Sequence, residues 1–127
     1  MKTRRIKKPD DLPELIGWYH DHGWESISER MFPPTGFMVD DHGAVWLFVD
    51  EEARMGFMAW MVINPRKNRA LAFRALHLLY DRVEREAANR GLSLLTHTVS
   101  HSSLKKLAEQ HNYSQGDSGL TSYWKVL

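Results

Sequence analysis

Cysteine is absent from the 127 residues. Disulfides, thiolate nucleophiles and cysteine-ligated metals are therefore excluded, and this usage fits a cytosolic protein. Long apolar runs are absent too. None approaches the ~20 residues of a membrane span, so no membrane role is expected. The basic start, Met1 to Lys8, runs into Pro9-Asp10-Asp11 rather than an apolar segment, so no signal peptide is expected. No nucleophile elbow, Walker loop or paired-carboxylate motif appears. Glycine is missing from the basic turn Asn64 to Arg74, although an apolar strand, a basic turn and a long helix there have the outline of a phosphate-binding element.

An excess of one charge is also lacking: 17 Lys/Arg face 16 Asp/Glu, for a net charge of +1. The distribution is uneven, however. Residues 1–8 carry five Lys/Arg and no acid, residues 9–65 carry two Arg against eleven acids, and residues 66–127 carry ten Lys/Arg against five acids. The C-terminal half is the expected anion-binding half. A length of 127 residues and a 43% apolar fraction fit one domain, residues 1–127, with a core.

Hydrophobic periodicity supplies the elements. Thr3 to Lys7 reads as a short strand. Asp10-Asp11-Leu12-Pro13-Glu14 reads as a helix start with a capping acid, and Leu12, Leu15, Ile16 and Tyr19 form its apolar stripe up to Gly23. Glu25 to Met31 reads as a second short helix, stopped at Pro33-Pro34. Gly36 to Asp40 and Ala44 to Asp50 read as strands joined at Asp41-His42-Gly43. Met55 to Ile63 reads as a long buried strand. Asn68 to Arg90 is the strongest helix, with Ala72, Leu76, Leu79, Val83 and Ala87 on one face and Gly91 as its stop. Leu92 to Val99 reads as a strand, Ser100 to His111 as a helix and Leu120 to Val126 as a last strand. The whole predicts an α+β fold, a mixed sheet packed on helices.

That order, with Val62-Ile63-Asn64-Pro65 ending a central strand and Leu92 to Val99 followed by Leu104 to Tyr113, resembles the GNAT N-acyltransferases. Trp18-Tyr19-His20-Asp21-His22-Gly23-Trp24 with Pro33-Pro34-Thr35-Gly36-Phe37 is similar to small GNAT-like proteins of phages and prophages. The resemblance implies a mostly antiparallel central sheet flanked by helices, acetyl-CoA as co-substrate and an amine acceptor. Three departures accompany it. The family's pyrophosphate loop, Arg/Gln-x-x-Gly-x-Gly/Ala, falls on Arg69-Ala70-Leu71-Ala72-Phe73-Arg74, with Ala72 and Arg74 at the glycine positions. The asparagine that often follows the fifth strand falls at His101. The tyrosine that commonly protonates the leaving thiolate falls at Ala108.

The resemblance further implies that the two central strands splay near Ile63 and Thr96. The backbone of Met61, Val62 and Ile63 would then face pantetheine, and one N–H would polarise the thioester carbonyl. Arg66, Lys67, Arg69, Ala70, Leu71, Ala72, Phe73 and Arg74 would hold the phosphates, with Arg74 either blocking or gripping them. The same residues also read as ordinary core strand and a basic helix start. His97 and His101 are the titratable candidates for taking up the amine proton, and Tyr113 or Tyr80 for replacing the missing acid. Trp18, Trp24, Glu25 and Phe37, with Asp40, are candidates for the acceptor side, against a reading in which the aromatics simply pack on the sheet. No metal site is expected: His20 and His22 would diverge on a helix, and His97 with His101 has no third ligand.

Two functions compete on these residues. One is acetyl transfer from acetyl-CoA to an amine, by a cytoplasmic protein. The other is a GNAT-fold phage or prophage accessory or virion protein that has lost chemistry and acts by macromolecular binding. Nucleic-acid binding through Arg4, Arg5, Lys7 and Lys8 lacks any supporting motif. A homodimer is compatible with the aromatics.

Overall fold

The computed structural model describes residues 1–99, 102–121, 123, 125 and 127. In chain order the elements are β1 (Thr3–Arg5), α1 (Leu12–Asp21), a 3-10 turn (Glu29–Met31), β2 (Thr35–Val39), β3 (Gly43–Asp50), β4 (Met55–Ile63), α2 (Arg69–Asn89), β5 (Leu94–His97) and α3 (Ser102–Gln110). The strands form one sheet in sequential order, β1-β2-β3-β4-β5. Neighbours are antiparallel except β4 and β5, which are parallel because α2 crosses over between them. The α+β mixed sheet expected from the periodicity is therefore present.

Each face of the sheet has its own core. On one face α2 packs Ala75, Leu76, Leu79, Tyr80 and Val83 against Phe37, Val39, Val45, Leu47, Met58 and Met61, and Leu107 of α3 joins them. On the other, α1 packs Leu12, Leu15, Trp18 and Tyr19 against Met38, Ala44, Trp46 and Val62. The alternation along β2 and β3 is what splits the side chains between the two. Gly36 is required by close approach: a Cβ there would lie 2.5 Å from Trp46 Cε3 and 2.6 Å from Ile6 Cδ1.

Several elements differ from the sequence reading. The helix expected over 25–31 is reduced to the single turn Glu29–Met31, because Ser28 is extended at φ −138° and ψ 163° and breaks the helical path before it. Asp11 occupies the N-cap of α1 but makes no side-chain cap; its carboxylate binds Arg4 at 2.7 and 2.9 Å and the Lys7 N–H at 2.6 Å. The fifth strand is shorter than Leu92 to Val99. Gly91 turns the chain at φ 71°, the Leu92 N–H returns to Ala87, and the Ser93 N–H goes to Arg54. The described residues of 112–127 form no strand, and Ser122, Trp124 and Val126 of the expected last strand lie outside the described residues. Among the described residues, no helix is long and apolar enough to cross a membrane.

Candidate active site

β4 is longer than β5, and their pairing stops early. Met55, Gly56, Phe57 and Met58 pair with Leu94, Leu95, Thr96 and His97. Beyond Met58 and His97 the strands part, so β4 from Ala59 to Ile63 is paired with β3 alone. The fork opens after Met58 on β4, earlier than the expected Ile63, and after His97 on β5, just past the expected Thr96. A bulge accompanies it. Between Ala44 and Trp46 β3 advances two residues while β4 covers three, from Val62 to Ala59. Trp60 takes up the extra residue at φ 55°. The bulge resets the alternation: Met58 and Met61 share the α2 face, and Val62 packs on the α1 face. Met61 and Val62 are 5% and 3% exposed, so their side chains are core and only their backbone is available to a ligand.

Helix α1 braces the bulge from one side. The Tyr19 hydroxyl donates to the Trp60 carbonyl, and His22 Nε2 lies 2.9 Å from the Ile63 carbonyl. The turn after β4 is equally held. Asn64, 5% exposed, donates through Nδ2 to the Asp41 carbonyl at 2.8 Å and accepts the Arg66 N–H on Oδ1 at 3.0 Å. Asn68 caps α2 by accepting the Leu71 N–H at 3.1 Å.

These contacts qualify the expected phosphate site. Arg66 pairs with Asp21 at 3.2 Å and Lys67 with Asp41 at 2.7 Å. Ala72 is wholly buried and points into the core, so it lines no loop, and Phe73 packs against the α2-face core. Ala70 and Leu71 lie exposed in the first turn of α2. Arg69 lies over the Phe73 ring at 5.7 Å, and Arg74 is exposed with no carboxylate partner among the described residues. Among the described residues, Arg69 and Arg74 are thus the cations of this segment without a carboxylate partner.

The titratable groups gather at the fork. His97 is the last residue of β5, opposite Met58. Both its ring nitrogens are buried without a partner among the described residues, and burial pushes its pKa below the ordinary histidine value. Tyr113 places its hydroxyl 3.5 Å from Met58 Sδ. Burial and the Glu84 carboxylate raise its pKa. Tyr80, fully buried, joins the two: its ring meets His97 edge-on at 5.5 Å and Tyr113 at 5.5 Å. The Tyr113 N–H donates to the Ala108 carbonyl at 3.1 Å, so Tyr113 stands one turn beyond the position where the resemblance puts tyrosine. His101 lies outside the described residues.

Behind Tyr80 is a second polar group that the sequence reading missed. His111 stacks on Tyr80 with centroids 4.6 Å apart, and its Nε2 is 2.8 Å from His77 Nδ1. Burial pushes the Glu84 carboxyl up; His111 opposes this and Asp81 adds to it. His77, Asp81 and Glu84 follow at four- and three-residue spacing on α2, a polar stripe beside the apolar one. That spacing was the available signal.

The acceptor candidates do not converge. Trp18 and Phe37 are 4% and 0% exposed and belong to opposite cores. They are corrected from pocket walls to packing residues, as their apolar size would favour. Trp24 is 40% exposed and stacks on Tyr19 at 5.7 Å. Glu25 is exposed beside it, and Asp40 is exposed in the β2–β3 turn.

No family model matches the chain, and no curated relative does. Solved structures do. An aminoglycoside acetyltransferase from an uncultured soil metagenomic sample, in complex with sisomicin, superposes with a TM-score of 0.67 at 8% identity, over 99% of this chain and 96% of that one. An acetyltransferase of Trypanosoma brucei gives 0.66 at 12% identity, over 97% and 99%. N-acetylglutamate synthase of Neisseria gonorrhoeae, complexed with coenzyme A and N-acetyl-glutamate, gives 0.60 at 16% identity, over 86% of this chain and 27% of that one. At such identities the likeness concerns architecture. The sequential sheet, the crossover by α2 and these superpositions together establish that the chain has the GNAT acyl-CoA N-acyltransferase fold.

Proposed function

We propose that this protein is an N-acyltransferase that moves an acetyl group from acetyl-CoA to an amine. The observation that carries the reading is the fork: a bulged strand, unpaired on its β5 side past Met58, opens beside His97 and Tyr113 and leads through a turn to Arg69 and Arg74 of α2. Acetyl-CoA would supply the thioester carbonyl and the thiolate leaving group. The outward backbone groups of β4 between Ala59 and Ile63 would take the pantetheine amides, and a backbone N–H there would stabilise the carbonyl oxygen as it gains charge. Arg69 and Arg74 would meet the phosphates near the N-terminus of α2. His97, kept neutral by burial, would accept the amine proton, and Tyr113, kept protonated, would return one to the sulfur.

A thermal melt with and without excess acetyl-CoA tests the reading. Ligand at about 100 times its dissociation constant adds ~2.7 kcal/mol, several degrees for a domain of this size. The shift should vanish in Arg74→Glu. A second reading, a GNAT fold that acts by binding alone, gains support from Asn68, which takes the Leu71 N–H, and from Ala72, which faces the core. No shift at millimolar acetyl-CoA would favour it. A melt shift together with amine acetylation that is lost in His97→Ala would end it.

A further inference from the structure

We infer that Asp81, Glu84 and His111 form a binding site for a divalent transition-metal ion of the zinc class. Each offers one ligand atom, and the three atoms lie within 4.8 Å of one another. An ion bound about 2.0–2.2 Å from each nitrogen and oxygen would draw these atoms together by small side-chain rotations. His111 Nδ1 is 3.7 Å from Asp81 Oδ1. That is too long for a hydrogen bond and close to the separation of two ligands on one tetrahedral ion.

The imidazole is also held as a ligand needs to be. Its other nitrogen, Nε2, is 2.8 Å from His77 Nδ1. When Nε2 donates to His77, the lone pair of His111 rests on Nδ1 and faces Asp81. A metal-bound histidine is oriented by such a bond on its far nitrogen. Stacking on Tyr80 at 4.6 Å and 18° fixes the ring plane. Two carboxylates and one neutral imidazole present a charge of −2 to a dication, and three protein ligands leave a position open to water. The imidazole selects zinc, cobalt, nickel or copper over magnesium and calcium, which prefer oxygen ligands in larger number. The site does not rest on acetyl transfer.

The test uses the untagged full chain, freed of metal by a chelator and titrated with Co²⁺ and with Zn²⁺. The expected result is one ion per chain, with visible Co²⁺ bands. Affinity should fall at least about tenfold in His111→Ala and in Asp81→Asn, and should not change in a His20→Ala/His42→Ala double variant. Asp81 is exposed, so Asp81→Asn leaves the packing intact even if His111→Ala perturbs α3. His77 acts as a positioning residue: His77→Leu should weaken binding roughly 10- to 100-fold, and His77→Gln, which keeps an acceptor oxygen, should restore it. Failure of the wild-type chain to bind Zn²⁺ at ~100 μM, far above the dissociation constants of structural zinc sites, overturns the inference. Unchanged binding in both Asp81→Asn and His111→Ala also overturns it.

Discussion

Tyr19 and Tyr80 are both wholly buried, yet their hydroxyls meet opposite circumstances. Tyr19 donates to the carbonyl of the bulge residue Trp60, whereas the Tyr80 hydroxyl has no partner among the described residues. Tyr19→Phe should therefore cost about 1–3 kcal/mol, since it strands a buried carbonyl, while Tyr80→Phe should be close to neutral. Urea denaturation of the two variants would show the contrast. His97 adds a pH term. Its folded pKa lies below the unfolded value of 6.5, so between the two the unfolded chain binds a proton that the folded chain refuses. Stability contributed by neutral His97 is present above that window and is lost as pH falls through it. The loss of stability between pH 7 and pH 5 should be smaller in His97→Leu. His97 and Tyr113 were legible in the sequence because polar side chains beside an apolar strand and at a helix exit stand out. The pairing of His77 with His111 was not, because it spans 34 positions and follows no local period.

At the scale of elements, β1 is tied to α2 through one carboxylate. Glu86, 7% exposed, meets Arg5 at 3.0 Å, Arg82 at 3.2 Å and Arg90 at 2.8 Å. Burial alone would raise its pKa, but the three arginines outweigh that and hold it below the usual range. Its contribution is present above pH ~4.5 and is lost as pH falls through the lowered value. Glu86→Gln should cost about 1–3 kcal/mol at pH 7, the partial exposure of the arginines limiting the loss, and should flatten the acid limb of the stability curve. Gly36→Ala should cost about 1–3 kcal/mol by overpacking against Trp46 and Ile6, read as a lowered Tm. The long elements were legible for different reasons: α2 repeats its period many times, and β4 is a long, nearly unbroken apolar run. The bulge was not. Its left-handed residue is Trp60, where glycine or asparagine would have signalled it; only the three-residue spacing of Met58 and Met61 hinted at the phase change.

At the scale of the molecule, the uneven charge of the sequence is partly paired off by the fold. Arg4, Arg5, Arg66, Lys67, Arg82 and Arg90 each face a carboxylate. The basic C-terminal half is thus less of an anion surface than its composition suggests, because sequence counts cannot show which charges meet. Binding to DNA or RNA at ~150 mM salt should accordingly be undetectable at ~10 μM protein by fluorescence anisotropy. The fold itself was legible from the order of its elements, while the phosphate turn was harder to read. The resemblance placed Ala72 in a loop, whereas helical spacing placed it on the apolar face of α2, where it lies buried.

The one-sided pairing of β4 beyond Met58 also has a signature in time. Amides of residues 59–63 that turn toward β3 sit in a closed ladder, while those that turn toward the fork meet water. Hydrogen–deuterium exchange along this stretch should therefore split into slow and fast sites on a single strand, with the α1-braced bulge as the boundary.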